Sequence, residues 1–287
     1  MIVRHLFWSS RPLSWINTAY PFALAYLLLA RPVDPVLLVV GTLYFLIPYN
    51  LAMYGVNDVF DYESDLRNPR KGGVEGSVLA PALHRPTLIA AAVTNVPFLV
   101  VLVVLGNPAS WLVLAVSVFA VVAYSAKGLR FKERPVLDSI TSSTHFVSPA
   151  VYAVALAGVV PDARTVLLLA GFFCWGMASH AFGAVQDVPA DREAGIGSVA
   201  TVLGARTTTA LAGALYLLGG VLAALSGWPT ALAGLLALPY LAMVAPFLRI
   251  TDATAETANR GWRRFLAINY GAGFGVTMLA IVAAALA

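Results

Sequence analysis

Nine runs of apolar residues, each about 20 residues long, dominate the sequence and restrict the folds open to it. A helix of that length crosses the roughly 30 Å hydrocarbon core of a bilayer. Only 11% of the 287 residues are charged, against about 25% in soluble domains. There are therefore too few charged residues to form the polar surface of a soluble globular protein. The runs cover residues 14–30, 36–56, 87–105, 110–125, 139–159, 165–185, 207–225, 230–247 and 265–286.

These runs predict an all-α, polytopic membrane protein with nine transmembrane helices in one bundle, embedded in a lipid bilayer. We interpret residues 1–287 as a single domain, since the sequence contains neither repeats nor low-complexity segments. The composition excludes a nucleic-acid partner, although the net charge is +4. The single Cys174 excludes a disulfide framework and a cysteine-based metal cluster.

The basic residues predict the orientation in the cell membrane. Sixteen of the 18 Lys and Arg residues fall on one side of the nine-span topology, and only Arg31 and Arg164 fall on the other. Because cytoplasmic loops are rich in Lys and Arg, the N-terminus is expected in the cytoplasm and the C-terminus on the outer side. Twelve of the 14 acidic residues share the basic side. The sequence therefore predicts a polar active site on the cytoplasmic side.

The end of the second run carries a stripe of carboxylates. Asp58, Asp61 and Asp65 are spaced i, i+3 and i+7, with Asn57 beside them, so they share one face if the helix continues. Like charges on one face repel, which a bound cation would relieve. Mg²⁺ prefers oxygen ligands and often shares them with substrate phosphates. The alternative is a solvated helix end, which normally mixes both signs of charge.

A second acidic pair, Asp187 and Asp191, follows the sixth run with the spacing i, i+4. Pro189 between them fits a helix only near its first turn or at a kink. Basic residues follow the ends of the second, fourth and sixth runs, and they could bind the phosphates of a substrate. The alternative for each of them is a topology signal. These residues are Arg67, Arg70 and Lys71 after the first motif, Lys127, Arg130 and Lys132 after Tyr124, and Arg192 after Asp191.

With these motifs the chain resembles the UbiA superfamily of intramembrane prenyltransferases. The stretch 57–65 matches the NDxxDxxxD pattern of that family, and 187–191 matches its DxxxD pattern. The stretch 124–132 resembles the family's Tyr-Ser-x-x-x-x-Lys/Arg-x-Lys segment. Lys127 and Gly128 stand where many members have two prolines, so the resemblance does not predict the backbone path there.

The resemblance implies a reaction and a set of site residues. Mg²⁺ binds the diphosphate of an allylic prenyl donor, and the prenyl carbocation is attacked by an electron-rich, lipophilic acceptor. The residues implied to hold the metal and to be catalytic are Asn57, Asp58, Asp61, Asp65, Asp187 and Asp191. The residues expected to bind the diphosphate are Arg67, Arg70, Lys71, Tyr124, Lys127, Arg130 and Lys132.

Within the superfamily, the stretches 57–73 and 11–21 resemble the lycopene elongases of C50 carotenoid synthesis. That subgroup adds a five-carbon unit from dimethylallyl diphosphate to each end of lycopene, and the final cation is quenched by water or by proton loss. Prenylation of an aromatic acceptor in quinone synthesis is the alternative within the family. A membrane transporter is the alternative from another class, although transporters place polar residues near the bilayer midplane.

Two histidines and one aspartate leave further alternatives open. His145 and His180 each fit a general base or a hydrogen-bonded packing residue inside an apolar span. Asp138 fits a helix cap or a first-turn acid at the start of the fifth run. The sequence contains no signal for a protein partner.

Overall fold

The computed structural model describes residues 2–62, 66 and 79–286, and all regular elements within these residues are helices. The predicted all-α fold is therefore confirmed for this part of the chain. The α-helices, numbered in chain order, are α1 (Ile2–Ser9), α2 (Ile16–Leu29), α3 (Pro35–Leu46), α4 (Pro48–Phe60), α5 (His84–Val104), α6 (Pro108–Ser125), α7 (Leu137–Leu156), α8 (Ala163–Val185), α9 (Val188–Glu193), α10 (Val199–Leu203), α11 (Ala205–Ala224), α12 (Ala237–Val244), α13 (Asn259–Trp262) and α14 (Phe265–Ala285).

Seven helical segments among the described residues are long and apolar enough to cross a membrane. They are Pro35–Phe60, Pro81–Val104, Pro108–Ser125, Ala163–Val185, Ala205–Ala224, Thr230–Phe247 and Phe265–Ala285. Two of the nine predicted spans are not among these seven. The helix α2 has only 14 residues, and α7 has 20 residues but a polar first half. The nine-helix count thus stays a prediction.

The second predicted span is broken into α3 and α4 at Pro48. Proline has no N–H to donate and its ring disturbs the preceding turn. Buried side chains satisfy the carbonyls released at the break. The amide of Asn50 donates to the Phe45 and Leu46 carbonyls at 2.8 and 3.1 Å. The Thr18 hydroxyl also donates to the Phe45 carbonyl, at 2.7 Å. Both carbonyl oxygens at the break before α4 therefore accept side-chain hydrogen bonds.

The chain divides into two compact units, and the first comprises Met1–Phe131 and Thr144–Val160. Its core is built from aromatic side chains that touch one another edge-on, tilted or stacked, at centroid distances of 4.9–6.0 Å. Such rings bury large areas with defined geometry, and here they surround the bend between α3 and α4. The fully buried members are Phe22, Tyr44, Phe45, Tyr49 and Tyr152.

The second unit comprises Lys132–Ser143 and Pro161–Ala287. Its helices α8 and α11 approach backbone to backbone where Gly171 meets Gly219. A Cβ added at Gly171 would lie 2.8 Å from the Gly219 carbonyl oxygen, and the reverse addition is equally close. Small residues permit such contacts between membrane helices. That the two units together make a single domain stays a prediction.

Candidate active site

The first acidic motif lies at the C-terminal end of α4 in the first unit. Asn57 and Asp58 belong to the last turn of the helix, and Asp61 is its C-cap, with its N–H donating to the Asn57 carbonyl at 2.9 Å. Asp58 is completely buried, and Asp61 is 9% exposed. The helix therefore reaches far enough to place the first two aspartates on one face, as predicted.

Several predicted site residues lie outside the described part of the chain. They are Asp65 of the first motif and the basic residues Arg67, Arg70 and Lys71. Within residues 2–62, 66 and 79–286, no three His, Cys, Asp or Glu side chains are grouped closely enough to hold a metal ion. Asp65, the predicted third carboxylate of the first motif, is not among these residues.

Arg11 contacts the buried carboxylate of the first motif. Its guanidinium donates to Asp58 Oδ1 at 3.1 Å, and its central carbon lies 4.4 Å from the centre of the Tyr54 ring. The backbone of Arg11 is left-handed, with φ +50°, and Pro12 follows it directly in a 3-10 turn. The sequence marked Arg11 only as part of the positive-inside signal and of the 11–21 stretch, so this contact was missed.

The end of α6 supplies further polar groups to the same motif. Ser125, the last residue of α6, donates its hydroxyl to Asn57 Oδ1 at 2.9 Å. The Tyr124 ring stands edge-on to the His145 ring with centroids 5.1 Å apart. Arg130 is left-handed with φ +41°, and its guanidinium is 3.5 Å from the Phe60 carbonyl. The first unit thus brings Ser125 and Arg130 to the end of α4.

The other two basic residues of this stretch are placed differently. Lys127 is exposed, and Gly128 after it has a φ of +92°, which suits glycine. Lys132 is partly buried and lies in the 3-10 turn Phe131–Glu133. It belongs to the second unit, whereas Lys127 and Arg130 belong to the first.

The second acidic motif lies at the junction of α8 and α9 in the second unit. Asp187 is the N-cap residue of α9, and the Asp191 N–H donates to the Asp187 carbonyl at 2.8 Å. The two carboxylates are therefore one helical turn apart, as predicted. Pro189 occupies the first turn of α9, where its missing N–H costs no hydrogen bond. Both aspartates are partly buried.

Arg192 has a structural role in this unit. Its guanidinium is bonded to the Asp252 carboxylate and to the Thr201 carbonyl, the latter at 2.9 and 3.1 Å. Asp252 also accepts the Ala205 N–H at 2.7 Å. The backbone bond to Ala205 and then the guanidinium of Arg192 lower the pKa of the Asp252 carboxyl. The sequence suggested a phosphate contact for Arg192, but the described contacts engage it in holding α9, α10 and α11 together.

Comparison with known proteins places the chain among prenyltransferases. The model of the UbiA prenyltransferase family matches residues 18–285. The lycopene elongase/hydratase of Corynebacterium glutamicum is 54% identical over 279 residues, which are 97% of both chains. The C(50) beta-cyclic carotenoids biosynthesis protein LbtBC of Dietzia sp. is 60% identical over 277 residues, 96% of this chain. The match covers only 64% of that longer protein.

Solved structures share the fold. A UbiA homologue from Archaeoglobus fulgidus bound to DMAPP and Mg²⁺ has a TM-score of 0.68 at 17% identity, over 92% of this chain and 96% of that one. A structure of digeranylgeranylglyceryl phosphate synthase has a TM-score of 0.69 at 16% identity, over 98% of this chain and 99% of that one. At such identities the likeness concerns the fold alone.

Proposed function

Because the chain belongs to the UbiA prenyltransferase family, we propose that this multi-pass membrane prenyltransferase transfers a five-carbon prenyl group from dimethylallyl diphosphate to lycopene. The observation that carries the proposal is the 54% identity to a lycopene elongase/hydratase over 97% of both chains. At that identity and coverage, the relative's named reaction is the best guide to the donor and the acceptor. The carotenoid protein LbtBC supports the same class of acceptor.

We assign the divalent metal of this reaction to the two acidic motifs and expect it to be Mg²⁺. The donor set fits a hard cation, because the described part of the first motif offers only carboxylate and amide oxygens, from Asn57, Asp58 and Asp61. The further proposed ligands are Asp65, Asp187 and Asp191.

The basic residues of the site are proposed to bind the donor's diphosphate. Arg130 is the best supported, because its guanidinium lies at the end of α4 beside Phe60 and Arg binds phosphate with two parallel hydrogen bonds. When bound, the metal would neutralise the diphosphate as it leaves. The other proposed diphosphate contacts are Arg67, Arg70, Lys71, Tyr124, Lys127 and Lys132.

In this reaction the protein positions the substrates and stabilises charge, and it does not supply a nucleophile. The allylic C–O bond breaks and its electron pair leaves with the diphosphate. The terminal double bond of the polyene then attacks the prenyl cation, which forms a C–C bond and moves the positive charge to the polyene. Loss of a proton, or addition of water followed by loss of a proton, ends the reaction. The apolar helices keep bulk water from capturing the first cation.

Product analysis tests this proposal. Purified protein in liposomes receives lycopene, dimethylallyl diphosphate and Mg²⁺, with an EDTA control, and pigments are analysed by chromatography and mass. We expect pigments that have gained one or two five-carbon units, only when Mg²⁺ is present. Folded protein that forms no such pigment but prenylates a hydroxybenzoate or naphthoate would replace lycopene by an aromatic acceptor. Transport of a solute without any product would instead point to a transporter.

Substitutions test the assignment of the motifs. Asp61→Asn and Asp187→Asn should each lower turnover about a hundredfold or more, because each removes a proposed carboxylate ligand of the metal that would neutralise the leaving diphosphate. Asp34→Asn is the matched control. Asp34 caps α3 through its side-chain oxygen, and asparagine caps helices equally well. Turnover near the wild-type value at saturating Mg²⁺ in either motif variant would remove that aspartate from the site.

A further inference from the structure

A buried carboxylate and an imidazole face each other in the second unit. Asp138 lies in the first turn of α7 and is completely buried. It accepts the N–H groups of Ser139 and Val199, both at 2.7 Å. His180 of α8 places its Nε2 atom 3.6 Å from Asp138 Oδ2. Asp138 is thus the first-turn acid that the sequence predicted, and it also lies against a histidine.

The backbone bonds explain why the carboxylate is buried, but they do not explain the histidine. Val199 begins α10, so the bond from its N–H ties the loop after the second motif to the start of α7. The bond from Ser139 uses the other carboxylate oxygen, so the two N–H groups account for the acid at this position. An apolar residue in place of His180 would pack against α7 without placing a second titratable group beside a buried acid. The pairing therefore needs a reason besides packing.

His180 lies near the C-terminal end of α8, which ends at Val185. Asp187 of the second motif follows His180 by seven residues, just beyond the C-cap Gln186. The imidazole is 18% exposed, whereas Asp138 behind it is inaccessible. A proton can therefore reach the imidazole but not the carboxylate. His180 belongs to the apolar helix α8, whereas Asp187 lies at the polar junction that follows it.

The contact between α7 and α8 holds the imidazole in place. Ser143 donates its hydroxyl to the Phe173 carbonyl of α8 at 2.7 Å. One helical turn further along α8, a Cβ added at Gly176 would lie 2.3 Å from the Ser143 hydroxyl oxygen. The start of α7 therefore packs directly on α8, and Asp138 cannot shift relative to His180 without breaking this packing.

We propose that His180 is the base that ends the reaction, and that Asp138 positions it. The proposal rests on the proposed function. After the new C–C bond has formed, the polyene carries a carbocation. A neighbouring C–H bond breaks, its electron pair forms a C=C bond that quenches the cation, and the proton passes to the imidazole. Where water adds to the cation instead, the added water loses a proton, which also passes to the imidazole of His180. The buried Asp138 then faces an imidazolium and balances its charge.

The test measures coupling between the two halves of the reaction. Without a base, the polyene cation forms reversibly and returns to its components, while donor cations are lost to water as prenyl alcohol. Released diphosphate and elongated pigment are therefore counted in the same liposome assay with lycopene, dimethylallyl diphosphate and Mg²⁺. In His180→Gln, the yield of pigment per diphosphate released should fall at least about tenfold. A purely structural defect would lower both products together and leave their ratio unchanged.

Two further variants complete the experiment. Asp138→Asn keeps an oxygen for the Val199 N–H but loses the charge that faces the imidazole, so the ratio should fall about threefold. His5→Gln removes an exposed imidazole of α1 and should leave the ratio at the wild-type value. A wild-type ratio in both His180→Gln and Asp138→Asn would overturn the proposal. A wild-type protein that forms no pigment would overturn the proposed function instead, so the two failures are distinguishable.

Discussion

The hydrogen bonds at the break between α3 and α4 lead to a quantitative prediction for Asn50→Leu. The Asn50 amide is completely buried and donates to the Thr18 hydroxyl and to the Phe45 and Leu46 carbonyls. A side-chain hydrogen bond inside a membrane protein contributes about 0.6 kcal/mol on average, so the two N–H groups of the amide, one of them shared between two acceptors, contribute roughly 1 kcal/mol. The buried Asn50 Oδ1 atom has no hydrogen-bond partner among the described residues. Removing this unpaired oxygen regains part of the free energy that the lost hydrogen bonds contributed. Leucine has the same branched shape but a larger volume, which adds a packing cost, so we expect a net loss of about 1–2 kcal/mol.

Reversible unfolding in mixed micelles, titrated with SDS, measures this loss. Thr18→Val is the matched variant, because the Thr18 hydroxyl donates to the Phe45 carbonyl and accepts from Asn50. Since the two side chains share a hydrogen bond, the double variant should lose less stability than the sum of the single variants. Equal or higher stability of Asn50→Leu would refute the idea that these bonds support the break. Additive losses would refute the coupling.

Three further outcomes follow from contacts described above. Arg11→Gln leaves the buried Asp58 without its guanidinium partner. Breaking a buried ion pair lowers the free energy of unfolding by about 3–5 kcal/mol, and because Arg11 is 21% exposed we expect a loss of about 3 kcal/mol. An unchanged melting temperature would contradict this. Gly171→Val should destabilise by about 1–3 kcal/mol in the same SDS titration because a carbonyl lies in the way of its Cβ, whereas Gly271→Val, which meets nothing within 4 Å, should not. The pKa of Asp252 is lowered by folding, so its contribution to stability is present above about pH 4, its unfolded pKa, and is lost as the pH falls through the folded value. Melting temperatures of the wild type and Asp252→Asn should therefore converge in acid, and a constant difference would refute the assignment.

Helix ends with strong local signals were predicted accurately. The predicted span 165–185 ends at the last residue of α8, Val185, and 265–286 begins with α14 at Phe265. Apolar periodicity and the polar residues that follow are local properties of the sequence, so they suffice for such boundaries. The acidic spacings were equally readable, because i, i+3 and i, i+4 positions share a helix face whatever lies around them.

Interruptions within spans were not predicted. The run 36–56 is apolar throughout, yet Pro48 divides it, because hydropathy does not register a missing N–H. The run 230–247 comprises the 3-10 helix Thr230–Leu236, then α12, then a final 3-10 turn. Backbone geometry of this kind depends on packing partners that a hydropathy window does not contain.

Long-range partners were beyond the reach of sequence pattern. Arg11 lies 47 positions before Asp58, and neither its positive charge nor the stretch 11–21 indicates which residue it contacts. Asp138 and His180 are likewise 42 positions apart, and each alone has an ordinary interpretation. Only the packing of the helices brings such residues together, so their pairing had to come from the structure.

The ion pair between Arg11 and Asp58 also bears on how the protein is made. Domains that need a metal to balance their ligands stay unfolded until the metal arrives. Here the buried carboxylate of the first motif receives its counter-charge from the N-terminal segment of the same chain. That segment is synthesised before α4, so the cation is already present when Asp58 enters its site. The charge of Asp58 is therefore balanced without the proposed metal, and we expect this helix to insert and fold before any metal binds.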